Sequence, residues 1–212
     1  MTIKLYAFPR SSCTRRVAVV CKELNVPYEI DLVDLAKGEQ KSEAHLARQP
    51  FGVVPVMEDN GFQLFESRAI ARYLVAKYGK GSGLAPDPTD IEATAKFEQA
   101  ASIENNNFDI TGGQLAFELL LKPSRGMKPD EARVKELLVT MNSKLDAYDK
   151  ILSKQKYLAG DTLTIADLFH LPWLYGLTEQ AKLDLIPSRP NVMRWYQEIG
   201  ARPSWQAVKD GA

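Results

Sequence analysis

The turn between the first predicted strand and the first predicted helix holds hydroxyl, thiol and guanidinium groups in neighbouring positions. It reads Pro9-Arg10-Ser11-Ser12-Cys13-Thr14-Arg15-Arg16. Backbone N–H groups at the start of a helix have no partner within the helix, so such a turn favours an anion. A serine hydroxyl there can donate a hydrogen bond to a thiolate carried by a ligand. Ser11 is therefore the candidate for stabilising a sulfur nucleophile that comes from outside the chain.

The two cysteines exclude some thiol chemistry and leave one alternative open. A redox turn with two cysteines separated by two residues would need cysteine at Ser11 and Thr14, so a dithiol mechanism is excluded. Cys13 stays a second candidate nucleophile, because the dipole of the following helix lowers the pKa of a nearby thiol. Cys21 lies on the apolar stripe of that helix, so we expect it to be an inert core residue.

Composition excludes several classes of protein. The 212 residues are 45% hydrophobic, which indicates a folded chain, and 27 basic residues balance 27 acidic ones, which makes nucleic acid an unlikely partner. Two cysteines, with His45 and His170, are too few for a disulfide framework or a metal centre, and we expect both histidines to be structural. Without a signal peptide or an apolar run of about 20 residues, the sequence predicts a soluble cytoplasmic protein with no membrane segment.

The elements that position the turn follow a βαβ–ββα order. Hydrophobic periodicity predicts strand Ile3–Ala7, a helix with apolar Val17, Val20, Cys21 and Leu24, strand Tyr28–Leu32, a hairpin of Pro55–Glu58 and Gln63–Phe65, and helix Ser67–Tyr78. A strand, a crossover helix and a second strand indicate parallel pairing. The order is the thioredoxin-like arrangement, an α/β domain over residues 1–78.

Beyond residue 90 almost every apolar pattern is helical. Glycines and prolines mark residues 79–89 as a linker, and residues 90–212 as an all-α helical-bundle domain. The longest predicted helix runs from Val134 to Leu152, and another follows Pro190. Thr164 and Asp167 have the spacing of a capping box, which suggests a role in folding. Asn105–Asn107 and Gly112-Gly113 predict a kink in the first helix of this domain.

Four segments together carry a family resemblance. They are SSCTRRV from Ser11, RQPFGVVP from Arg48, LFESRAI from Leu64 and LAGDTLTIADL from Leu158. With them the chain resembles a glutathione transferase over essentially its whole length, and the phi class fits best. The resemblance implies a cytoplasmic homodimer that acts in detoxification, uses glutathione as its cosubstrate and needs no metal or other cofactor.

The resemblance implies a role for individual residues of the first domain. Ser11 resembles the serine that hydrogen-bonds the glutathione sulfur. Val54 precedes Pro55, a proline that is cis in this family, and the Val54 backbone pairs with the cysteinyl part of glutathione. Glu66 and Ser67 resemble the pair that binds the ammonium and the carboxylate of the γ-glutamyl group.

At the glycine end of glutathione the match is imperfect. Gln40 and Lys41 correspond to the segment that reaches the glycine carboxylate. Members of the family often have histidine in place of Gln40 and glutamine in place of Val53. We therefore expect Lys41 to carry more of the affinity at this end and one side-chain hydrogen bond to be absent.

The electrophile pocket is the least readable part of the sequence. Candidates are Ser12, Phe108, Phe117 and Tyr175, although apolar helix positions are core residues by default. Phe51, next to a glycine-containing turn, is a candidate for a hydrophobic contact in the homodimer. Arg15 and Arg16 could steer an anion, but arginines on a helix surface are more often solvated or paired.

The sequence thus predicts an enzyme that conjugates the glutathione thiolate to hydrophobic electrophiles, with glutathione peroxidase activity as a second reaction. Two alternatives stay open. The first is a non-catalytic carrier, a ligandin, that holds apolar ligands in the cleft between the domains. The second is a thiol reductase that works through a mixed disulfide between Cys13 and glutathione.

Overall fold

The computed structural model describes residues 2–212, and residues 1–85 with 202–212 form the first of two compact units. Its strands are β1 (Ile3–Ala7), β2 (Tyr28–Leu32), β3 (Val56–Asp59) and β4 (Phe62–Phe65). Its helices are α1 (Ser12–Glu23), α2 (Glu43–Leu46), α3 (Ser67–Tyr78) and, near the end of the chain, α11 (Pro203–Gln206). A 3-10 turn, Glu39–Lys41, precedes α2.

The four strands form one sheet in the order β2-β1-β3-β4. β1 pairs in parallel with β2, as the crossover helix predicted, and in antiparallel with β3. Ile3, Leu5 and Ala7 are buried, while the residues between them are partly exposed, which is the period-two pattern of a strand with one face in the core. The predicted βαβ–ββα arrangement is confirmed.

The hairpin of β3 and β4 turns at Asn60 and Gly61, which have φ values of 51° and 83°. Positive φ at both turn residues matches the right-handed twist of the strands, and Asn-Gly adopts it readily. Lys77 and Tyr78 of α3 both donate to the Asp59 Oδ2 atom, each at 2.6 Å. These bonds attach the hairpin to the C-terminal half of α3.

Residues 202–212 belong to the first unit, although the sequence assigned them to the helical domain. The Arg202 guanidinium binds both carboxylate oxygens of Glu23 in α1, at 2.5 and 2.7 Å. Trp205 is buried, and the Arg15 guanidinium lies 5.8 Å from its ring centroid. Arg15 also donates to the Lys209 carbonyl at 2.6 Å. These contacts hold the segment against both ends of α1.

The second unit, residues 86–201, is helical. Its helices are α4 (Ile91–Ile103), α5 (Ile110–Ala116), α6 (Lys122–Ser124), α7 (Glu131–Leu152), α8 (Ile165–Leu168), α9 (Leu171–Tyr175) and α10 (Pro190–Gly200). π-helical turns at Glu104–Asp109 and Phe117–Leu121 join α4, α5 and α6 into one continuous helical stretch. The predicted irregularity at Asn105–Asn107 is therefore a π-helical turn.

Gly112 and Gly113 lie inside α5 and do not interrupt it. An added Cβ on either glycine would lie 3.5–3.8 Å from Trp173 atoms, an ordinary van der Waals distance, so both glycines lie beside this side chain. Trp173 Nε1 donates to Asp109 Oδ1 at 2.9 Å. The predicted interruption of the helix at this glycine pair is therefore absent.

Asp167 lies at the centre of the second unit and is fully buried. Its carboxylate accepts from the backbone N–H groups of Leu158 and Thr164, from the Thr164 hydroxyl and from Trp195 Nε1, at 2.9–3.1 Å. The predicted capping box with Thr164 is present. Burial raises the pKa of the Asp167 carboxyl, although these four hydrogen bonds act in the opposite direction.

Candidate functional site

Ser11 stands at the N-cap position of α1, and Ser12 is the first helical residue. The Ser11 N–H donates to the Phe8 carbonyl and the Ser11 carbonyl accepts from the Arg15 N–H, both at 2.9 Å. Its hydroxyl makes no capping hydrogen bond within residues 2–212, so this serine is not used as an ordinary N-cap. The main chain is held on both sides while the hydroxyl stays available to a ligand.

The first turn of α1 offers positive potential and one accessible sulfur. It contains Ser12, Cys13, Thr14 and Arg15, so no carboxylate neutralises the helix N-terminus. Cys13 is partly exposed. Burial raises the pKa of the Cys21 thiol to about 12, so this sulfur stays protonated in the core.

The loop before β3 presents main-chain polar groups. The Val54–Pro55 peptide bond is cis, as expected from the family resemblance. In the part of the chain that the structure describes, neither the N–H nor the carbonyl of Val54 has a hydrogen-bond partner. His45 Nε2 lies 2.8 Å from the neighbouring Val53 carbonyl and donates to it. His45, expected to be purely structural, thus holds the loop that carries Val54.

The Lys41 side chain lies against residues 51 and 52 of the loop before Val54. Lys41 Nζ donates to the Phe51 carbonyl at 2.9 Å. Gly52 has φ of +62°, and a Cβ there would lie 2.7 Å from Lys41 Nζ and 2.8 Å from the Gln40 carbonyl. The Gln40 Oε1 atom is buried and has no partner among the described residues. Because glycine has no Cβ, position 52 leaves room for the Lys41 side chain to reach the Phe51 carbonyl.

Gly52→Ala is expected to destabilise the protein by about 2–4 kcal/mol, because it adds a clash with the Gln40 main chain to the cost of a left-handed alanine. Gly38→Ala is the matched control, since Gly38 also has positive φ, at +75°, but the added Cβ meets no described atom within 4 Å. This control is expected to cost only about 1 kcal/mol. Urea unfolding measures both, and equal costs would contradict the close approach at Gly52.

Glu66 and Ser67 occupy the start of α3. Glu66 has φ of +71°, an uncommon backbone conformation for a residue with a side chain, and it is exposed. Its carboxylate has no hydrogen-bond or ion-pair partner in residues 2–212. Ser67 is the first residue of α3 and is buried, and its Oγ atom accepts from Arg16 Nη1 at 3.0 Å.

The sequence reasoning missed the burial of Arg15 and Arg16, whose exposed fractions are 6% and 1%. Both were expected on the solvated helix surface. Arg16 lies four residues before Val20, on the apolar stripe of α1, and this spacing is the signal that could have revealed its burial.

The proposed pocket residues of the second unit have different environments. Phe108 is fully buried, with its ring centroid 4.9 Å from that of His170, so it is a core group and not available to a ligand. Phe117 is 39% exposed and lines an open cavity of about 430 Å³ together with Ile110, Leu137 and Arg133. Tyr175 is half-buried at the end of α9.

His170 is structural, as expected from its isolation in the sequence. Its Nδ1 atom donates to the Ala166 carbonyl at 3.0 Å, and its Nε2 atom accepts from the Tyr148 hydroxyl at 2.9 Å. Among the described residues no group of three or more His, Cys, Asp or Glu side chains is placed to hold a metal ion. No helix within residues 2–212 is long and apolar enough to cross a bilayer.

The chain matches family models and known proteins over most of its length. A family model described as glutathione S-transferase, N-terminal domain, matches residues 1–76, and the corresponding C-terminal model matches residues 108–203. The chain is 50% identical over 199 residues to glutathione S-transferase PM239X14 of Arabidopsis thaliana, covering 92% of this chain and 90% of that protein. It is 45% identical to glutathione S-transferase hmp2 of Hypomyces subiculosus, covering 97% and 96%.

Solved structures agree with the sequence relatives. Glutathione transferase F7 from Populus trichocarpa superposes with a TM-score of 0.91 at 35% identity, covering 97% of both chains. Glutathione S-transferase I from maize, in complex with an atrazine glutathione conjugate, superposes with a TM-score of 0.90 at 33% identity, covering 98% of this chain and 96% of that one.

Proposed function

The chain belongs to the phi class of the glutathione S-transferase family and is a glutathione transferase; from this premise we propose that the Ser11 hydroxyl donates a hydrogen bond to the glutathione sulfur and stabilises the attacking thiolate. The observation that carries this proposal is the uncapped Ser11 hydroxyl at the N-terminus of α1. A hydroxyl donor and a helix N-terminus both favour the anionic form of sulfur. The thiolate then attacks a hydrophobic electrophile and forms an S–C bond, either by displacing a leaving group such as chloride from it or by adding to it.

The backbone and charged groups around Ser11 supply the remaining contacts of glutathione. The Val54 N–H and carbonyl pair with the cysteinyl main chain, in the manner of a strand. The Glu66 carboxylate binds the γ-glutamyl ammonium, and Ser67 binds the γ-glutamyl carboxylate, helped by the positive end of the α3 dipole.

At the other end of glutathione, Lys41 binds the glycine carboxylate. An ammonium group has three donors, and the Phe51 carbonyl occupies one, so two remain for the ligand. Gln40 contributes its side-chain amide N–H groups as donors from the adjacent position. The absence of the glutamine often found at position 53 leaves Lys41 as the main group at this end.

Glu66→Gly is expected to keep or raise the melting temperature while weakening glutathione binding by about 10-fold or more. Glycine adopts positive φ without strain, whereas the γ-glutamyl ammonium loses its carboxylate partner. Calorimetric titration and thermal unfolding measure the two effects. Glu66→Gln, which keeps the side chain but not the charge, is expected to weaken binding without the gain in stability, and unchanged affinity in both variants would exclude Glu66 from the site.

Phe117 and Tyr175 of the second unit line the electrophile pocket in this proposal. The second unit offers Phe117 at an open cavity, which an apolar substrate requires. The homodimer and its contact at Phe51 rest on family membership and on the 70% exposure of that ring. They remain predictions, as do the cytoplasmic location and the peroxidase activity.

Conjugation of an aryl chloride tests the proposed function against the carrier alternative. The transferase is expected to release chloride and form an S-aryl glutathione, identified by mass spectrometry, at a rate that depends on Ser11. A carrier would bind the aryl compound without forming this product. Incubation with glutathione disulfide addresses the reductase alternative, which requires a glutathionyl adduct on Cys13 in the intact mass.

A further inference from the structure

We infer that His45 is a positioning residue, which fixes the peptide group between Val53 and Val54 so that the Val54 N–H faces the cysteinyl carbonyl of glutathione. The inference rests on the proposed role of Val54. His45 belongs to α2 and is only 3% exposed, and its Nε2 atom lies 2.8 Å from the Val53 carbonyl oxygen. The imidazole therefore acts on this peptide group from inside the protein.

The chemistry of the two groups fixes the direction of this hydrogen bond. A carbonyl oxygen can only accept, so the His45 Nε2 atom carries a proton and donates it to the bond. In the neutral ring the Nδ1 atom then has no proton. The Nε2–H group is therefore what the Val53 carbonyl needs, and another side chain with a donor at the same place can substitute for it.

The planarity of the peptide group transmits this contact to the side of the ligand. The Val53 carbonyl and the Val54 N–H belong to one peptide unit, which is trans, because within residues 2–212 only the next bond, Val54–Pro55, is cis. In a planar trans unit the carbonyl and the N–H point in opposite directions. A hydrogen bond that holds the carbonyl toward His45 therefore holds the N–H away from it. The same bond polarises the amide, which makes the N–H a stronger donor.

The main chain around His45 is held on both sides. Ser42 caps α2, because its Oγ atom accepts from the His45 N–H at 3.3 Å. The His45 carbonyl accepts from the N–H groups of Arg48 and Gln49, both at 2.9 Å. The Gln49 carbonyl in turn accepts from the Gly52 N–H at 2.9 Å. These bonds join α2 to the loop that follows it, so the imidazole is presented to that loop at a set distance.

Val54 is a buried residue whose main-chain groups a ligand can satisfy. It is 8% exposed, and neither its N–H nor its carbonyl has a partner within residues 2–212. Buried main-chain polar groups are almost always hydrogen-bonded. The cysteinyl residue of glutathione offers one carbonyl and one N–H, which match this pair in the manner of two neighbouring strands. A rotated peptide group would lose the bond from the Val54 N–H, so the His45 contact contributes to the affinity for glutathione.

Three variants separate the donor from the bulk of the ring. His45→Phe keeps an aromatic ring without a donor, whereas His45→Gln keeps a donor nitrogen near the position of Nε2. In calorimetric titration His45→Phe is expected to weaken glutathione binding about 5-fold or more, because one hydrogen bond to the ligand is no longer oriented. His45→Gln is expected to stay within about twofold of the wild type. If His45→Phe does not fold, His45→Asn replaces it, since the asparagine side chain is too short to reach the Val53 carbonyl.

Selective labelling reports the peptide group itself. The chain has two Val-Val bonds, Val19-Val20 and Val53-Val54, so valine labelled with ¹³C at the carbonyl and ¹⁵N at the amide gives two signals when each N–H is correlated with the preceding carbonyl. Val20 is buried in α1 and serves as the internal control. In the wild type, glutathione is expected to shift the Val54 N–H signal downfield and to leave that of Val20 largely in place. In His45→Phe without ligand, the Val53 carbonyl signal is expected to move upfield, because this carbonyl has lost its donor.

His170→Phe is the matched control, because His170 is also buried and also donates to a main-chain carbonyl, that of Ala166 at 3.0 Å, but lies in the second unit. This variant is expected to be less stable to urea and to bind glutathione within about twofold of the wild type. In steady-state kinetics His45→Phe is expected to raise KM for glutathione while kcat at saturating glutathione is largely kept.

The outcomes distinguish the inference from the proposal beneath it. If glutathione leaves the wild-type Val54 signal unshifted, the role of Val54 is wrong and that of His45 falls with it. If the wild-type signal shifts but His45→Phe and His45→Asn bind glutathione as the wild type does, Val54 keeps its role and the inference about His45 is wrong. Equal weakening of binding by His45→Phe and His45→Gln would assign His45 to packing alone.

Discussion

Asp167→Ala is expected to lower the free energy of unfolding by about 4 kcal/mol or more, the largest effect of any single substitution considered. The substitution leaves four buried donors without an acceptor: the N–H groups of Leu158 and Thr164, the Thr164 hydroxyl and Trp195 Nε1. Each unsatisfied buried donor costs about 1–3 kcal/mol. Because whole domains are stable by only about 5–15 kcal/mol, this loss would remove a large part of the protein's stability.

Urea unfolding followed by tryptophan fluorescence measures this loss, since Trp195 is itself one of the donors. Asp161→Ala is the matched control, because Asp161 is an exposed aspartate that accepts one backbone hydrogen bond, from Lys156. That variant is expected to lose about 1 kcal/mol or less. If Asp167→Ala yields no soluble protein, Thr164→Val removes one of the four bonds. For Asp167→Ala, a loss near that of the Asp161 control would contradict the account of Asp167 as the acceptor of four buried hydrogen bonds.

Ser11→Ala is expected to reduce kcat/KM for conjugation at pH 7 by at least about 10-fold and to shift the pH profile toward alkaline values. Lowering a thiol pKa from about 8.5 to about 6.5 raises the thiolate fraction at pH 7 from about 3% to about 75%. Nucleophilicity falls about 8-fold at the same time, for a Brønsted slope near 0.45, so ionisation alone gains only about 3-fold. The rest of the loss comes from a sulfur that is no longer held toward the electrophile.

The sign of the shift follows from the same pKa values. With the serine present, activity rises as pH passes through the lowered pKa of the bound thiol; without it, the rise occurs nearer the pKa of free glutathione. Ser12→Ala is the control, since Ser12 is a buried helical residue next to Ser11. It is expected to keep the wild-type pH profile. An unchanged profile in Ser11→Ala with a shifted one in Ser12→Ala would transfer the role to Ser12.

The sequence predicted the strands, helices and hairpin turn of the first unit because hydrophobic periodicity and turn residues are local features of the chain. The Asn60-Gly61 turn, the alternation in Ile3–Ala7 and the helix Ser67–Tyr78 each depend on neighbouring residues, and each is present in the structure. The sequence analysis placed residues 202–212 in the helical domain, whereas they pack with the first unit, because their partners are distant in sequence. Arg202 binds Glu23, 179 positions earlier, and no periodicity encodes that ion pair.

The residues of the candidate site also fall into two groups, those that the sequence could reveal and those that only the folded structure shows. Ser11, Val54, Glu66 and Ser67 lie in short motifs, so resemblance could point to them. Arg16 and His45 act through tertiary contacts, with Ser67 and with the Val53 carbonyl, that become visible only when α1, α2 and α3 are assembled. Phe108 was a pocket candidate in the sequence but is fully buried in the structure. The sequence of an apolar helix does not show whether a given residue faces a pocket or the core.

The pKa of the bound glutathione thiol tests the central claim most directly. The ultraviolet absorbance of the thiolate, followed against pH with saturating glutathione, reports this pKa without any electrophile or turnover. In the wild-type protein the thiol is expected to be half-ionised about two pH units below free glutathione, and in Ser11→Ala to return most of the way to the free value. A wild-type pKa equal to that of free glutathione, or a pKa that Ser11→Ala leaves unchanged, would contradict the assignment of Ser11 as the group that stabilises the thiolate.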